Sequence, residues 1–163
     1  EIDKWIVDCK KIKKHKLSYL KEHENVGAEG NAYQVSIPKR HIDDGFFLSF
    51  LVRFCSNVFG GSHRDYYMRE WSGHFDGYDI WANFAYKDNY NPEHNHTGNV
   101  SGVIYYKNKD RVQTLFTNNN IAYEGDEGTM IIFPSDTWHR VDPQKSKKER
   151  ITIAFNLHKY DRN

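Results

Sequence analysis

The feature that most restricts how this chain can fold is a change of hydrophobic period near Tyr78. From there to Leu157 the apolar residues fall into short runs at 78–86, 101–106, 112–116, 129–133 and 151–157. Gly, Asn, Asp and Pro clusters separate them, with turns at 118–120, 124–128 and 143–148. Short runs bounded by turn residues, with no helical segment between them, predict antiparallel strands rolled into a sandwich or jelly roll instead of alternating βαβ units. The last run alternates. Arg150, Thr152, Ala154 and Asn156 fall on one face, and Ile151, Ile153, Phe155 and Leu157 on the other. The apolar face belongs to a core and the polar face suits a cavity.

The front of the chain reads differently. Ile2, Trp5, Ile6, Cys9 and Ile12 recur at helical spacing, and Lys10, Lys11, Lys13, Lys14 and Lys16 occupy the solvent side. This amphipathic helix is expected to cover one side of the barrel, its lysines being a solvated face. A loop at 24–31 leads to a short strand at 32–37, stopped by Pro38. A second helix is expected from Asp44 to Phe59, capped by Asp43 or Asp44 and ended by Gly60 and Gly61. Its stripe of Phe47, Phe50, Leu51, Phe54 and Val58 is read as core packing. The segment 61–77, aromatic and charged with weak periodicity, reads as a lid or substrate-binding loop, against ordinary packing at the barrel's edge. The whole is one domain, 1–163, with a helical front at 1–60 and a jelly-roll core at 78–157. The fold class is therefore mainly β with flanking helices.

Composition excludes several classes. A net charge of +1 argues neither for nor against a nucleic-acid partner. Aromatics make up 15% of residues, too many for a disordered chain, so Phe, Tyr and Trp supply much of the buried area. The apolar run at 46–52 is cut by Arg53, so no membrane span is expected. Cys9 and Cys55 read as free buried thiols in helices, and a reducing, cytoplasmic setting follows.

Chemistry concentrates in His94-Asn95-His96, Trp138-His139 and Arg150-Ile151-Thr152. On a strand, residues i and i+2 share a face, so His94 and His96 can aim at one point, and His139, after the run 129–133 and the turn Pro134-Ser135-Asp136, supplies a third imidazole. Imidazole suits iron, copper, nickel and zinc. Three ligands on one side leave open positions, an arrangement for chemistry more than support. His15, His23, His41, His63 and His158 read as surface or hydrogen-bonded histidines. Trp138 reads as wall.

These segments resemble the iron(II)- and 2-oxoglutarate-dependent oxygenase superfamily, in its prolyl-hydroxylase-like branch with small bacterial and phage relatives, over about half of the chain from Tyr78 to Leu157. The resemblance implies a double-stranded β-helix that hydroxylates a substrate while decarboxylating 2-oxoglutarate to succinate, with dioxygen as the other cosubstrate. It carries iron over to His94 and His139, with His96 where the family has an acid. It places Arg150, eleven residues past His139, on the far carboxylate of 2-oxoglutarate, with Thr152 beside it. Tyr86 and Tyr106 match cosubstrate-binding tyrosines, Tyr105 replacing Tyr106 if the register shifts by one. Glu93 and Asp142 are the nearest acids that could replace His96. Asn83, counted from Tyr86, falls on the opposite face. No catalytic residue is expected beyond the metal centre. The substrate class, a protein, peptide or small molecule, is open, with a peptidyl side chain such as proline first.

A cupin is the main rival, since Gly128, Pro134, Asp136 and His139 approach its second motif and His94 and His96 fit its first. It would bind metal without an oxo acid. Its first motif also needs a glutamate where Val100 and Ser101 stand, and it gives no role to Arg150. A jelly roll that binds without catalysing is the third reading.

Overall fold

The computed structural model describes residues 1–16, 33–43, 46–71 and 77–160. The expected loop at 24–31, the first residue of the strand at 32–37 and the Asp44 start of the second helix lie outside these residues, as does 72–76. Three helices, α1 (Ile2–Lys16), α2 (Arg40–Asp43) and α3 (Phe46–Phe59), surround the strand β1 (Tyr33–Pro38) in sequence. Strands β2 (Tyr66–Tyr67), β3 (Glu70–Trp71), β4 (Gly77–Ala85), β5 (Asn91–His94), β6 (Val100–Lys107) and β7 (Gln113–Phe116) follow. The last are β8 (Ile121–Glu124), β9 (Met130–Pro134), β10 (His139–Val141) and β11 (Arg150–Lys159).

The strands form two antiparallel sheets, as a double-stranded β-helix requires. The larger runs β1-β4-β11-β6-β9, with β2 added to β11 and β3 to β4; the smaller runs β5-β10-β7-β8. The expected runs correspond to β4, β6, β7, β9 and β11. Strands β5, β8 and β10 have no apolar alternation long enough to be read from sequence: β5 is Asn-Pro-Glu-His and β10 has three residues. Their partners, not their own propensity, hold them extended.

Alternation assigns the faces of the large sheet. Ile80, Ala82 and Phe84 of β4, Ile104 of β6 and Ile151, Ile153, Phe155 and Leu157 of β11 join Trp5, Ile6 and Cys9 of α1 in one buried cluster. The helices therefore cover the outer face. The inner face, turned to the small sheet, carries the opposite parity, including Trp81, Asn83, Tyr105, Arg150, Thr152 and Asn156.

Helix α3 differs from its sequence reading. Leu51, Cys55 and Ser56 are its buried residues, while Phe46, Phe50, Phe54 and Val58 are exposed. Apolar residues lie all round this helix, so periodicity cannot say which side faces inward. The segment 61–77 also differs. Its described part is a short 3-10 turn, His63–Asp65, with Ser62 and Asp65 capping one another, followed by β2 and β3 paired to the large sheet. This described part packs at the edge of the large sheet. No described helix is long and apolar enough to cross a membrane.

Candidate metal centre

Strand pairing, not strand alternation, assembles the histidines. His94 ends β5 and His139 begins β10, and the two are direct cross-strand partners with ring centroids 4.3 Å apart. His96 lies past the end of β5, where the chain has left the ladder, and its backbone N–H donates to the Ser135 carbonyl at 2.8 Å. The rings of His94 and His96 stand 5.0 Å apart and those of His96 and His139 5.2 Å. One ligand atom from each residue lies within 4.8 Å of the others, close enough to share one ion.

Local hydrogen bonds orient two of the rings. His94 Nδ1 is 2.7 Å from the Pro92 carbonyl and His139 Nδ1 is 2.9 Å from the Thr137 carbonyl. A carbonyl only accepts, so Nδ1 is the donor in both, and Nε2 is the atom each ring can offer to a metal. Burial pushes His139 down to about 4, against the Thr137 bond, which raises it. Burial, then the neighbouring His94 and His139, pushes His96 down to about 3. Both are neutral near pH 7, the form that binds metal. Glu93 is exposed and Asp142 bonds Arg140 at 3.0 Å, so among the described residues no carboxylate joins the cluster. The walls are aromatic: Phe133 lies 4.9 Å and Phe116 6.0 Å from the His139 ring, and Trp81 5.9 Å from His96.

A buried cation stands at the start of β11, on the inner-face parity of the large sheet. Arg150 is 8% exposed, and burial lowers it only to about 10, so it stays charged at neutral pH. Among the described residues no carboxylate pairs with its guanidinium and no hydrogen bond reaches it. Removing such a charge from water without a partner is costly, which marks a place for an anion. Thr152 is also buried and accepts from Asn83 Nδ2 at 3.4 Å, while Asn83 Oδ1 accepts from Trp81 Nε1 at 3.1 Å. Tyr105, paired with Thr152 across β6 and β11, is fully buried, and its hydroxyl bridges to Thr114 of β7 at 2.7 Å. Phe116, the aromatic neighbour of His139, follows two residues along β7, ~7 Å away. Trp81 lies beside His96 and donates to Asn83, and Asn83 donates to Thr152, so inner-face side chains link the histidines to the end of β11 that carries Arg150.

The other two tyrosines are elsewhere. Tyr106 donates to Asp3 of α1 at 2.7 Å and Tyr86 donates to Glu149 at 2.8 Å, both on the helix-covered side. Asn83 is inside. The signal for this was present, since Ile80, Ala82 and Phe84 mark the core parity of β4, and Tyr86 shares that parity while Asn83 does not.

Residues 111–156 match the family model described as "Putative 2OG-Fe(II) oxygenase". That segment contains His139, Arg150 and Thr152; His94 and His96 precede it. Among solved structures, the chain is similar to a 2OG-Fe(II) oxygenase family oxidoreductase from Burkholderia pseudomallei, at 16% identity and TM-score 0.60, over 93% of this chain and 78% of that one. A prolyl-4-hydroxylase from Pseudomonas putida matches at 13% identity and TM-score 0.60, over 95% and 84%. The viral collagen prolyl hydroxylase of Paramecium Bursaria Chlorella virus-1, solved with 2OG, matches at 14% identity and TM-score 0.57, over 95% and 90%. At these identities the likeness is one of fold. No curated protein matches the chain.

Proposed function

We propose that this chain is a 2OG-Fe(II) oxygenase, a dioxygenase that holds iron(II) with His94, His96 and His139 and hydroxylates a substrate at the expense of 2-oxoglutarate. The observation that carries the reading is Arg150, a buried, charged guanidinium with no carboxylate partner among the described residues, on a chain that also gathers the imidazoles of His94, His96 and His139. The donor set fits the metal and the cation fits the cosubstrate. The far carboxylate of 2-oxoglutarate is the partner that Arg150 lacks, held by a planar fork that stays charged at any physiological pH. Thr152, beside it on the same face, supplies a hydroxyl to the same carboxylate, and Asn83 fixes the orientation of Thr152. Tyr105, not Tyr106, is the tyrosine placed to line this pocket.

Iron(II) with bound 2-oxoglutarate would supply oxidative chemistry in which dioxygen gives one oxygen atom to the oxo acid, which loses carbon dioxide to become succinate, and the other to the substrate as a hydroxyl group. The protein binds, orients and excludes water. Phe116, Phe133 and Trp81 wall the histidines with apolar surface, which favours a C–H bond over bulk water beside the metal. Three imidazoles leave the metal one positive charge richer than two imidazoles and a carboxylate, so an anionic cosubstrate is also held by that extra charge. A peptidyl side chain such as proline is the first substrate class to try, by analogy with the two hydroxylases of similar fold. Two buried thiols agree with a reducing, cytoplasmic setting.

The test is anaerobic titration of Fe(II) and 2-oxoglutarate into the protein, followed by admission of oxygen. A visible metal-to-ligand charge-transfer band and then succinate are expected. A protein that binds iron but gives neither belongs with the cupin or binding readings.

A further inference from the structure

Beyond the ligands themselves, a row of buried polar side chains runs from the His96 loop across the inner face of the large sheet, from β6 through β11 to β4. Ser135, Ser101, Asn156, Asp79 and His158 come from four different segments, and each is at least nine-tenths buried. Ser101 Oγ lies 2.8 Å from Ser135 Oγ and donates to Asn156 Oδ1 at 2.7 Å. Asn156 Nδ2 donates to Asp79 Oδ1 at 3.2 Å, and His158 Nε2 lies 3.1 Å from Asp79 Oδ2. The carboxylate only accepts, which fixes the direction of every other bond. Ser101 has one proton and gives it to Asn156, so Ser135 must donate to Ser101. A row satisfied in one direction rigidifies its members.

Its near end is the residue that holds His96. The Ser135 carbonyl accepts the His96 N–H, the bond that stands in for the ladder His96 has left. The loop back to β6 rests on the same row. A Cβ at Gly98 would meet the Leu157 carbonyl at 2.9 Å, Ser135 Oγ at 3.0 Å and Asn156 Cβ at 3.2 Å. Asn99 N–H donates to the Leu157 carbonyl, and Asn99 Oδ1 accepts from the Lys159 N–H. The rings of His94 and His139 bond carbonyls and the two residues pair across strands; among the described residues the His96 ring has no hydrogen bond and the residue no strand partner. Its ring packs against Trp81 and the other two imidazoles, and its backbone hydrogen bond is to Ser135.

We propose that the row Ser135, Ser101, Asn156 and Asp79 is the positioning device for His96, making the third imidazole a fixed ligand although it lies outside any strand. The inference rests on the reading of His96 as a ligand. Loosening the row should detach one imidazole while leaving the other two in place. Partners behind metal ligands commonly alter affinity 10–100-fold when removed.

The experiment titrates Co(II) into the full chain and records its visible spectrum, with melting curves in EDTA to report the fold. Ser101→Ala removes the middle of the row, Ser135→Ala one hydroxyl at its end, and His96→Ala gives the spectrum of the two-imidazole site. Asn108→Ala is the control: Asn108 is equally buried and bonds Val112 and Gly125 backbone, but touches no part of the row. Both serine variants are expected to bind Co(II) roughly 10–100-fold more weakly, with spectra displaced toward that of His96→Ala. Asn108→Ala should melt earlier yet bind with native affinity and spectrum. Should Ser101→Ala lose its cooperative melt, Ser135→Ala decides, since it removes a single bond. Unchanged affinity and spectrum in the folded serine variants would overturn the proposal, as would an equal loss in Asn108→Ala. Those results leave the three-histidine reading standing. Failure of His96→Ala to change the native spectrum overturns both.

Discussion

At the scale of single residues, Arg150 is the most exposed to test. Hydrogen bonds to a charged group contribute about 1.5–3 kcal/mol, so Arg150→Ala should weaken 2-oxoglutarate binding by roughly 10–150-fold. Metal affinity measured without the oxo acid should not change. Lysine restores charge but not the fork, so Arg150→Lys should recover only part of the loss. Equal affinity for 2-oxoglutarate in wild type and Arg150→Ala would remove the arginine from the site. Gly125 makes a second, independent case. A Cβ there would stand 2.1 Å from the Tyr105 ring, and that ring is fully buried with its hydroxyl on Thr114. Gly125→Ala must therefore displace Tyr105 or the β8–β9 turn, a clash on the scale of overpacking, about 1–3 kcal/mol by denaturant melt. Most of these residues were legible because chemistry is local: imidazole, guanidinium and hydroxyl are named by the sequence itself. Tyr86 and Tyr106 were named from the resemblance alone; the residue that needed a parity anchor was Asn83. Counting from Tyr86 turned β4 over, whereas counting from Ile80, Ala82 and Phe84 does not.

At the scale of elements, the helices are fastened to the large sheet by a few charged knots as well as by apolar contact. Glu149, just before β11, accepts from Lys10 of α1 at 2.8 Å, from Tyr86 at 2.8 Å and from Lys107 of β6 at 3.3 Å. Burial alone would raise its pKa, but the Lys10, Tyr86 and Lys107 bonds outweigh burial and lower it. A carboxyl lowered in the folded state contributes stability that is present above its unfolded pKa and is lost as pH falls through the folded one. Glu149→Gln should thus cost about 1 kcal/mol near neutrality, the scale of a partly exposed charge network, and nearly nothing once the pH is below the carboxylate range. A gap between wild type and variant that persists in acid would assign the effect to packing. Helix α3 yields a contrast within one element. Leu51 is fully buried, so Leu51→Ala should cost about 2–5 kcal/mol, while Phe54→Ser on the exposed side should cost little. Sequence could not order these two, because both lie in one apolar run.

At the scale of the molecule, the long strands of the large sheet were readable, while of the small sheet only β7 was. Strands β4, β6, β9 and β11 are long enough to show apolar alternation, so composition and period declare them. Strands β5 and β10 hold two of the three histidines in seven residues between them, and only pairing makes them strands. The site is consequently read from its side chains before its scaffold can be. The outer core, by contrast, joins α1, α3 and the large sheet in one apolar cluster that includes both cysteines. Burial pushes the Cys9 thiol up to about 12 and the Cys55 thiol up to about 11, so neither is a thiolate at pH 8. A thiol reagent can reach either sulfur only after the helices leave the sheet. If that cluster opens as one cooperative unit, both thiols should label at a single slow rate that rises with denaturant along the global unfolding curve. Faster labelling of Cys9 alone would mean that α1 detaches independently and that Glu149 and its lysines do not couple the helix to the barrel.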